Sequence, residues 1–307
     1  MFRTARIVAL VGVATLAVAA CGSSSAKPAT INLEPGTTAS GTTAVAKVAT
    51  KIVSLSPTAT EMLFAIGAGS QVIAVDDQSN YPAEAAAKKT TLSGFTPNVE
   101  AIAAYQPDLV VFDGSTDLDK KLAPLGIATW TGAAASTFDD IYLEIDQLGA
   151  VTGHTTEASA LVTDMKTKID AAVASVPKLT KPPTYYHELD NTLFSVTSNT
   201  FIGEVYGLFG LRNIADAAAG DNNYPQLNAE FIVSQNPDLV FLADTKCCGE
   251  TPATVAARPG WTKVSAVITG NVVNLDDDVA SRWGPRVVDY VQVVAAAVTR
   301  VATMSAG

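Results

Sequence analysis

A fifteen-residue segment occurs twice in this chain, and this repeat constrains the fold more than any other feature. Residues 98–112, NVEAIAAYQPDLVVF, match residues 228–242, NAEFIVSQNPDLVFL, at seven of fifteen positions, where average composition gives about one match by chance. Each copy has an asparagine suited to capping a helix, a glutamate in the first turn, a proline that stops the helix and an apolar run. The sequence therefore predicts two copies of one unit, a helix that leads into a buried strand.

A weaker similarity lies upstream of each copy. EMLFAIG (Glu61 to Gly67) and EVYGLFG (Glu204 to Gly210) share the spacing of glutamate and glycine, and they follow the strand-like runs KIVSLS and TLFSVT. Strands that alternate with helices are typical of a largely parallel sheet, so we expect one such sheet in each half.

Between the halves, residues 137–176 contain few strand signals. TTEASALVTDMKTKIDAAVASV predicts one long helix of about twenty residues, roughly 30 Å in length. The expected fold class is therefore α/β, with two similar lobes of largely parallel sheet joined by a long spine helix and a cleft between the lobes. The expected divisions are an N-terminal lobe over 51–136, linker and spine helix over 137–180, and a C-terminal lobe over 181–307.

The first fifty residues are predicted to direct export and then to act as a tether. Arg3 and Arg6 precede an apolar run that ends at Ala20, which is typical of a signal peptide over residues 1–20. The following LAVAAC resembles the lipobox of bacterial lipoproteins, so Cys21 is the predicted lipid attachment site; an ordinary signal peptide with an incidental cysteine is the alternative. Residues 21–50 are rich in small and polar side chains and are predicted to be a flexible tether.

Charge argues against one class of partner. The chain has 20 basic and 30 acidic residues, and without the two arginines of the signal peptide the balance is 18 to 30, a net charge of −12. Nucleic-acid binding needs clustered lysine and arginine, so no nucleic-acid partner is expected. We expect a monomeric soluble domain, lipid-anchored in the cell envelope at the outer face of the cytoplasmic membrane or in the periplasm.

Five segments in a fixed order carry a resemblance to a known family. They are KIVSLSPTATEMLFAIGAGSQVIAVDDQSNYP, NVEAIAAYQPDLVV, LFGLRNIAD, YPQLNAE and RWGPRVVD, and together they span about residues 51–300. This set resembles the helical-spine, or class III, periplasmic substrate-binding lipoproteins of ABC importers for vitamin B12, ferric siderophores or haem. The resemblance implies a bilobed receptor that captures a metal chelate, either a cobalamin-type corrinoid or a ferric siderophore, and delivers it to an ABC permease. A haem receptor of the same type is the alternative.

The resemblance also implies a docking role for one glutamate in each lobe. By position in the repeated helix starts, these are Glu100 and Glu230, which would pair with arginines of the permease. The alternative is that both residues only stabilise the first turn of a helix.

Candidate ligand contacts come from the same resemblance and from the residue types. Tyr224, Phe95 and Trp283 fall at or near positions that face the ligand in the family, although each aromatic ring is also suited to packing within its own lobe. Gln78 and Asp113 stand where vitamin B12 receptors carry Tyr and Trp, which leaves the ligand open.

Charged residues supply further candidates. Arg282 and Arg286 are both suited to binding an anionic group of the ligand, and Arg282 is predicted to orient it. For Arg286, binding of local carbonyl groups in its loop is an equal alternative. In YYHEL, strand alternation places Tyr185 and His187 on one face and Tyr186 and Glu188 on the other. Glu188 is a candidate ligand contact. His187 is suited either to axial ligation of haem iron or to a structural role.

Cys247 and Cys248 are adjacent in TKCCGE, in a predicted loop after a strand. In an oxidising compartment such a pair is able to form a vicinal disulfide. A metal site is not predicted, because no further Cys or His lies nearby at a suitable spacing.

Two other classes of protein compete with the receptor. An enzyme is disfavoured because the chain lacks the common nucleophile, phosphate-binding and zinc-hydrolase motifs and has only two histidines, so no cofactor is expected. A cell-envelope scaffold lipoprotein without a small ligand is the remaining alternative.

Overall fold

The computed structural model describes residues 47–179 and 181–305, without the side chain of Ser305. The predicted signal peptide, most of the tether and the predicted lipid site at Cys21 lie outside the described residues. The elements of the first half are β1 Ile52–Ser54, α1 Pro57–Ala65, β2 Val72–Val75, α2 Ala83–Ala86, α3 Val99–Ala103, β3 Leu109–Phe112, α4 Leu118–Leu122 and β4 Ala128–Thr131. The connecting helices are α5 Phe138–Thr152 and α6 Thr155–Ser175. The elements of the second half are β5 Thr184–Glu188, α7 Phe201–Gly207, β6 Arg212–Asn213, α8 Ala229–Gln235, β7 Leu239–Leu242, α9 Pro252–Ala256, α10 Ser265–Ile268, β8 Val272–Asn274, α11 Asp277–Ser281 and α12 Val287–Ser305.

Each half contains one four-stranded sheet, and the two sheets have the same topology. Their strand orders are β2-β1-β3-β4 and β6-β5-β7-β8, and every pairing is parallel. The predicted α/β class with two parallel sheets is confirmed. Helix α6, with 21 residues, occupies nearly the same span as the helix predicted for residues 155–176.

The repeated segment folds in the same way in both halves. The side chains of Asn98 and Asn228 cap α3 and α8 by accepting hydrogen bonds from backbone N–H groups three residues later. Asp108, after the helix-stopping proline, accepts a hydrogen bond from the backbone N–H of Thr50 at 3.0 Å. Asp238 accepts one from the N–H of Thr184 at 2.8 Å. The repeated aspartate, which comes just before β3 or β7, therefore holds the start of the central strand, β1 or β5, beside it.

One predicted strand is wrong. The run TLFSVT, residues 192–197, forms only an isolated antiparallel bridge between Phe194 and Gln226. The central strand of the second sheet is formed by residues 184–188, in the YYHEL region. Residues 193–197 instead form backbone hydrogen bonds with the segment 223–227, and Phe194 is partly exposed, so β propensity alone does not decide the pairing.

Strand residues alternate between a shared core and an outer core in each lobe. In β3, Leu109 and Val111 join a large cluster that includes residues of α1, α5, α6, α7 and α12. Val110 and Phe112 point to a separate cluster of the first lobe, and β7 divides in the same manner between the shared cluster and one of the second lobe. Because one apolar layer includes parts of both halves, we expect the lobes to unfold together.

Helix α12 packs along α6 and completes this shared layer. By length and composition it is the one helix of the described residues able to cross a membrane. Val287, Val291, Val294 and Val298 are fully buried in the protein. Its apolar character is therefore accounted for by its place in the core.

Candidate ligand-binding cleft

A cleft of about 360 Å³ lies at the carboxyl edge of the first sheet. Its floor consists of residues that follow β1, β2 and β3, and its other side is formed by residues 278–283, which follow β8. In an open parallel sheet this edge is where ligands bind, at the point where strand order reverses, here between β1 and β3. The residues that line the cleft are Leu55, Ser56, Pro57, Thr58, Asp76, Gln78, Gly94, Phe95, Asp113, Asp278, Ser281, Arg282 and Trp283.

Five of the predicted ligand contacts meet in this cleft: Gln78, Phe95, Asp113, Arg282 and Trp283. They come from sequence positions about 200 residues apart. Phe95 is the most exposed large apolar side chain of the described residues, at 76%. An aromatic ring left in solvent at the mouth of a cleft provides a face on which a flat ligand can stack.

Tyr224 is not among the residues that line the cleft. It is half exposed, in a loop whose neighbours Asn223 and Pro225 accept backbone hydrogen bonds from Thr197 and Ser195. These contacts place Tyr224 beyond the carboxyl end of β5. A contact between Tyr224 and a ligand requires a ligand that extends out of the cleft.

Glu188 also lies apart from the cleft group. It is fully buried, and its carboxylate accepts two hydrogen bonds from Arg258, at 2.6 and 2.7 Å. Arg258 also pairs with Glu250 at 2.9 Å. A bidentate pair of this kind holds both groups in place and leaves Glu188 engaged within the second lobe.

His187 is fully buried on the opposite face of β5, and its Nδ1 lies 2.8 Å from the hydroxyl of Tyr206. Burial lowers the pKa of His187 to about 3, so the ring is neutral at physiological pH. Its position gives it a structural role within the lobe and no access to the cleft.

An ionic cluster joins the two halves at one side of the cleft. We call Glu61, Asp278, Arg282 and Arg286 the Glu61 cluster. Arg282 donates to Glu61 at 2.9 Å and to Asp278 at 2.8 Å, and Arg286 donates to Glu61 through Nε at 2.7 Å. The Glu61 side chain is 2% exposed, and such a buried carboxylate needs partners of this kind.

Arg282 has further acceptors within the protein. It donates to the side chain of Asn80 at 2.8 Å and to the backbone carbonyl of Gln78 at 3.2 Å. The Arg286 guanidinium lies 4.2 Å from the ring centroid of Tyr81. Neither arginine presents an unoccupied fork to the cleft, so a carboxylate ligand would have to displace an existing partner.

Three of the polar residues that line the cleft are acidic. Asp76 is 1% exposed, and burial raises its pKa, with the neighbouring charge of Asp77 adding to the effect. Burial also acts to raise the pKa of Asp278, but hydrogen bonding to Lys246 and the charge of Arg282 outweigh it and lower that pKa. With Asp113, these carboxyl groups give the cleft a set of hydrogen-bond acceptors, and Gln78 adds an amide that both accepts and donates.

Sequence reasoning missed Glu61, Asp76, Gly94 and Asp278. Glu61 did belong to the repeated Glu–Gly spacing, which was a usable signal. Gly94 carried no such signal in the sequence. In the structure, a Cβ atom at this position would lie 2.4 Å from the carbonyl oxygen of Leu55. The cleft therefore requires glycine at this position for steric reasons.

Glu100 and Glu230 lie in the first turns of α3 and α8, and both are exposed. Each helix runs antiparallel to the strand that follows it, so each begins at the carboxyl edge of its sheet. The two carboxylates therefore lie at equivalent positions, each at the carboxyl edge of its own sheet.

Cys247 and Cys248 are free thiols in the loop after β7, and Cys247 is exposed. Among the residues that the structure describes, no group of three or more His, Cys, Asp or Glu side chains is arranged to hold a metal ion.

Comparisons with known proteins agree with this architecture. Residues 52–279 match the model of the family described as periplasmic binding protein. The chain is 30% identical over 254 residues to an ABC transporter substrate-binding lipoprotein of Bacillus subtilis, covering 80% of this chain and 78% of that one. It is 30% identical over 248 residues to a cobalamin-binding protein of Halobacterium salinarum, covering 78% of this chain and 66% of that one.

A solved structure is similar over most of the chain. The periplasmic vitamin B12 binding protein of Vibrio cholerae superposes with a TM-score of 0.69 at 26% identity, covering 83% of this chain and 98% of that one. The chain therefore belongs to the periplasmic binding protein family, in the helical-spine class that serves ABC importers.

Proposed function

We propose that this protein captures a metal chelate in the cleft and delivers it to an ABC permease, and that the chelate is a cobalamin-type corrinoid. The proposal rests mainly on the chemistry of the cleft, which combines two aromatic rings with a set of hydrogen-bond acceptors. A corrinoid has a flat apolar ring system and a periphery of amide groups whose N–H atoms donate hydrogen bonds. Phe95 and Trp283 suit the ring, and Asp76, Gln78 and Asp113 suit the amides.

The alternatives are ferric siderophores and haem. Haem carries two propionates, and many ferric siderophores carry negative charge. Both arginines near the cleft already pair with carboxylates, so an anionic chelate would meet acidic side chains and no unoccupied guanidinium. The two relatives described as binding cobalamin or vitamin B12 also support a corrinoid.

The cavity is small for a whole corrinoid. We therefore propose that one edge of the ring enters the cleft while the remainder contacts exposed aromatic surface, including Phe95 and, in the second lobe, Tyr224. This arrangement is the one in which Tyr224 becomes a ligand contact. No bond is made or broken by the chain in this function.

We also propose that Glu100 and Glu230 dock the loaded receptor on arginines of the permease. Exposed carboxylates at equivalent places on the two lobes fix orientation through two points, which one point does not. Lipid attachment at Cys21 would keep the receptor in the cell envelope close to the permease. The folded part works as a monomer in this scheme.

A titration panel tests the ligand. Cyanocobalamin, haemin and two ferric siderophores are added separately to the purified protein, and the melting temperature and binding heat are recorded. We expect cyanocobalamin to raise the melting temperature in proportion to the logarithm of its concentration once it exceeds Kd. Binding of haemin or a siderophore without cyanocobalamin binding would refute the corrinoid proposal. No response to any of the four would favour the scaffold alternative.

A further inference from the structure

The two adjacent thiols of the second lobe lie in a loop that is attached to the cleft. The loop, residues 244–250, leaves the carboxyl end of β7. The carboxylate of Asp277 accepts hydrogen bonds from the backbone N–H groups of Lys246 and Cys247, each at 2.9 Å, and from the hydroxyl of Thr245. The N–H of Cys248 donates to the backbone carbonyl of Asp244 at 3.2 Å. Hydrogen bonds therefore hold the backbone on both sides of the Cys247–Cys248 pair.

The two thiols are suited to reacting with each other. The chain has three cysteines, and the third, Cys21, belongs to the predicted signal-peptide junction. Partial desolvation raises the pKa of the Cys247 thiol to about 12, and the neighbouring Cys248 adds to this effect. At neutral pH the Cys247 thiolate is therefore scarce, so its uncatalysed attack on a disulfide is slow.

Salt bridges connect this loop to the cleft. Lys246, next to the pair, contacts Asp276 at 2.7 Å and Asp278 at 2.9 Å. Asp278 lines the cleft and also accepts from Arg282 and from Asn80 of the first lobe. A change in the backbone at Cys247 is therefore linked through Lys246 and Asp278 to Arg282, the sequence neighbour of Trp283.

We propose that Cys247 and Cys248 form a redox-modifiable site, which closes to a vicinal disulfide and thereby alters the cleft. The electron acceptor is the disulfide of a thiol–disulfide oxidoreductase of the compartment to which the chain is exported. Cys247, as thiolate, displaces one sulfur of that disulfide and gives a mixed disulfide. Cys248 then attacks the Cys247 sulfur, which closes the ring and releases the oxidoreductase. The oxidoreductase thereby gains two electrons and the two thiol protons, and it leaves as a dithiol.

Ring closure has a structural consequence. An eight-membered ring restricts the peptide between the two cysteines, and the N–H groups of both residues are engaged, one with Asp277 and one with Asp244. The ring is expected to disturb at least one of these hydrogen bonds, and through Lys246 the position of Asp278. Strained disulfides are also easily reduced, so the modification is reversible.

The first experiment tests the chemistry without any ligand. The reduced protein is treated with a strongly oxidising thiol–disulfide oxidoreductase in its disulfide form, alkylated with iodoacetamide and digested with trypsin. The peptide 247–263 is expected to carry two alkyl groups before treatment and none after it, while the protein remains a monomer on a non-reducing gel. Two alkyl groups after treatment, or a disulfide-linked dimer, would overturn the proposal.

The second experiment tests the connection to the cleft. Trp130 and Trp261 are buried, so Trp283 is the tryptophan at the cleft. We expect its emission to differ between the dithiol and disulfide forms, with no difference in Cys248→Ser treated in the same way. A redox-dependent change that persists in Trp283→Phe, or identical emission of the two forms, would refute the connection.

A third measurement concerns ligand affinity and rests on the proposed function. The affinity for cyanocobalamin is expected to differ at least about fivefold between the two forms, which corresponds to a modest coupling between sites. Equal affinities would refute control of binding by the pair. If cyanocobalamin binds neither form, the corrinoid proposal fails, while the alkylation and fluorescence results still decide the redox site.

Discussion

Replacing Glu61 by alanine is predicted to cost about 3 kcal/mol of unfolding free energy, because it removes the shared partner of two arginines. Breaking a buried ion pair by removing one side typically costs about 3–5 kcal/mol, since the other charge is left uncompensated. The lower end applies here for two reasons. Arg282 keeps Asp278 and Asn80, and the arginine side chains are 11% and 14% exposed, so water reaches them in part.

The assay is urea unfolding, followed by tryptophan fluorescence and by circular dichroism. One coincident transition is expected from both signals, because the two lobes share an apolar layer. For a domain of this size the loss corresponds to a fall of about 6–9 °C in melting temperature. Glu84→Ala is the matched control, since Glu84 is exposed on the short helix α2; its effect is expected to stay within about 0.5 kcal/mol.

The result that would refute the reasoning is a Glu61→Ala variant no less stable than Glu84→Ala. In that case the Glu61 cluster would not hold the two halves together. If the first lobe unfolded early while the second lobe kept its normal melting temperature, that result would instead contradict the apolar layer shared by the two lobes.

Three further predictions concern ligand, permease and pH. Phe95→Ala is expected to weaken cyanocobalamin binding about tenfold in calorimetry, if stacking contributes about 1.5 kcal/mol; unchanged affinity would remove the ring from the site. The double variant Glu100→Ala, Glu230→Ala is expected to abolish uptake into cells with unchanged affinity of the purified receptor, and a fall in affinity would contradict the docking role. Asp244 has both carboxylate oxygens buried without a hydrogen-bond partner, and burial, with the charge of Glu188 second, raises its pKa to about 7. Because the folded state holds this proton above the pH at which the unfolded chain releases it, the carboxyl group lowers stability progressively from about pH 4 to pH 7. Asp244→Asn should therefore gain stability over the unmodified protein across that range in urea midpoints, and a constant difference would refute the assignment.

The local structure was well predicted from sequence where short-range signals decide it. Asn98 and Asn228 act as helix caps, and the spine helix has nearly the predicted limits, because capping and helical period depend on neighbours in the chain. The strand predicted in TLFSVT was wrong because its backbone partners lie in the segment 223–227, and such tertiary contacts override β propensity. The Glu61 cluster was also out of reach, since Glu61 and Arg282 are 221 residues apart and a single sequence does not show which charges pair.

Five of the seven candidate ligand contacts line one cleft, while Tyr224 and Glu188 do not. The five came partly from resemblance and partly from residue type, and the sequence placed them only at loop positions after strands. Whether the donors of an arginine are already used within the protein depends on which acceptors are buried beside it. Arg282 was expected to orient an anionic ligand group, yet its donors are used by Glu61, Asp278, Asn80 and Gln78.

The duplicated sheets have diverged at the one place where a parallel sheet favours a ligand. The pairing registers make Leu55 equivalent to Glu188, because Ile52 pairs with Leu109 as Tyr185 pairs with Leu239. In the first sheet this position is part of an open cleft. In the second sheet Glu188 and Arg258 fill the same place with a buried ion pair, which excludes a ligand there. A duplicated fold thus has one binding edge, and the second lobe contributes to it through residues 278–283, which reach across to Glu61 and Asn80. Binding therefore depends on the contact between the lobes, so a variant that loosens the Glu61 cluster should lose affinity even where it leaves the aromatic rings of the cleft unchanged.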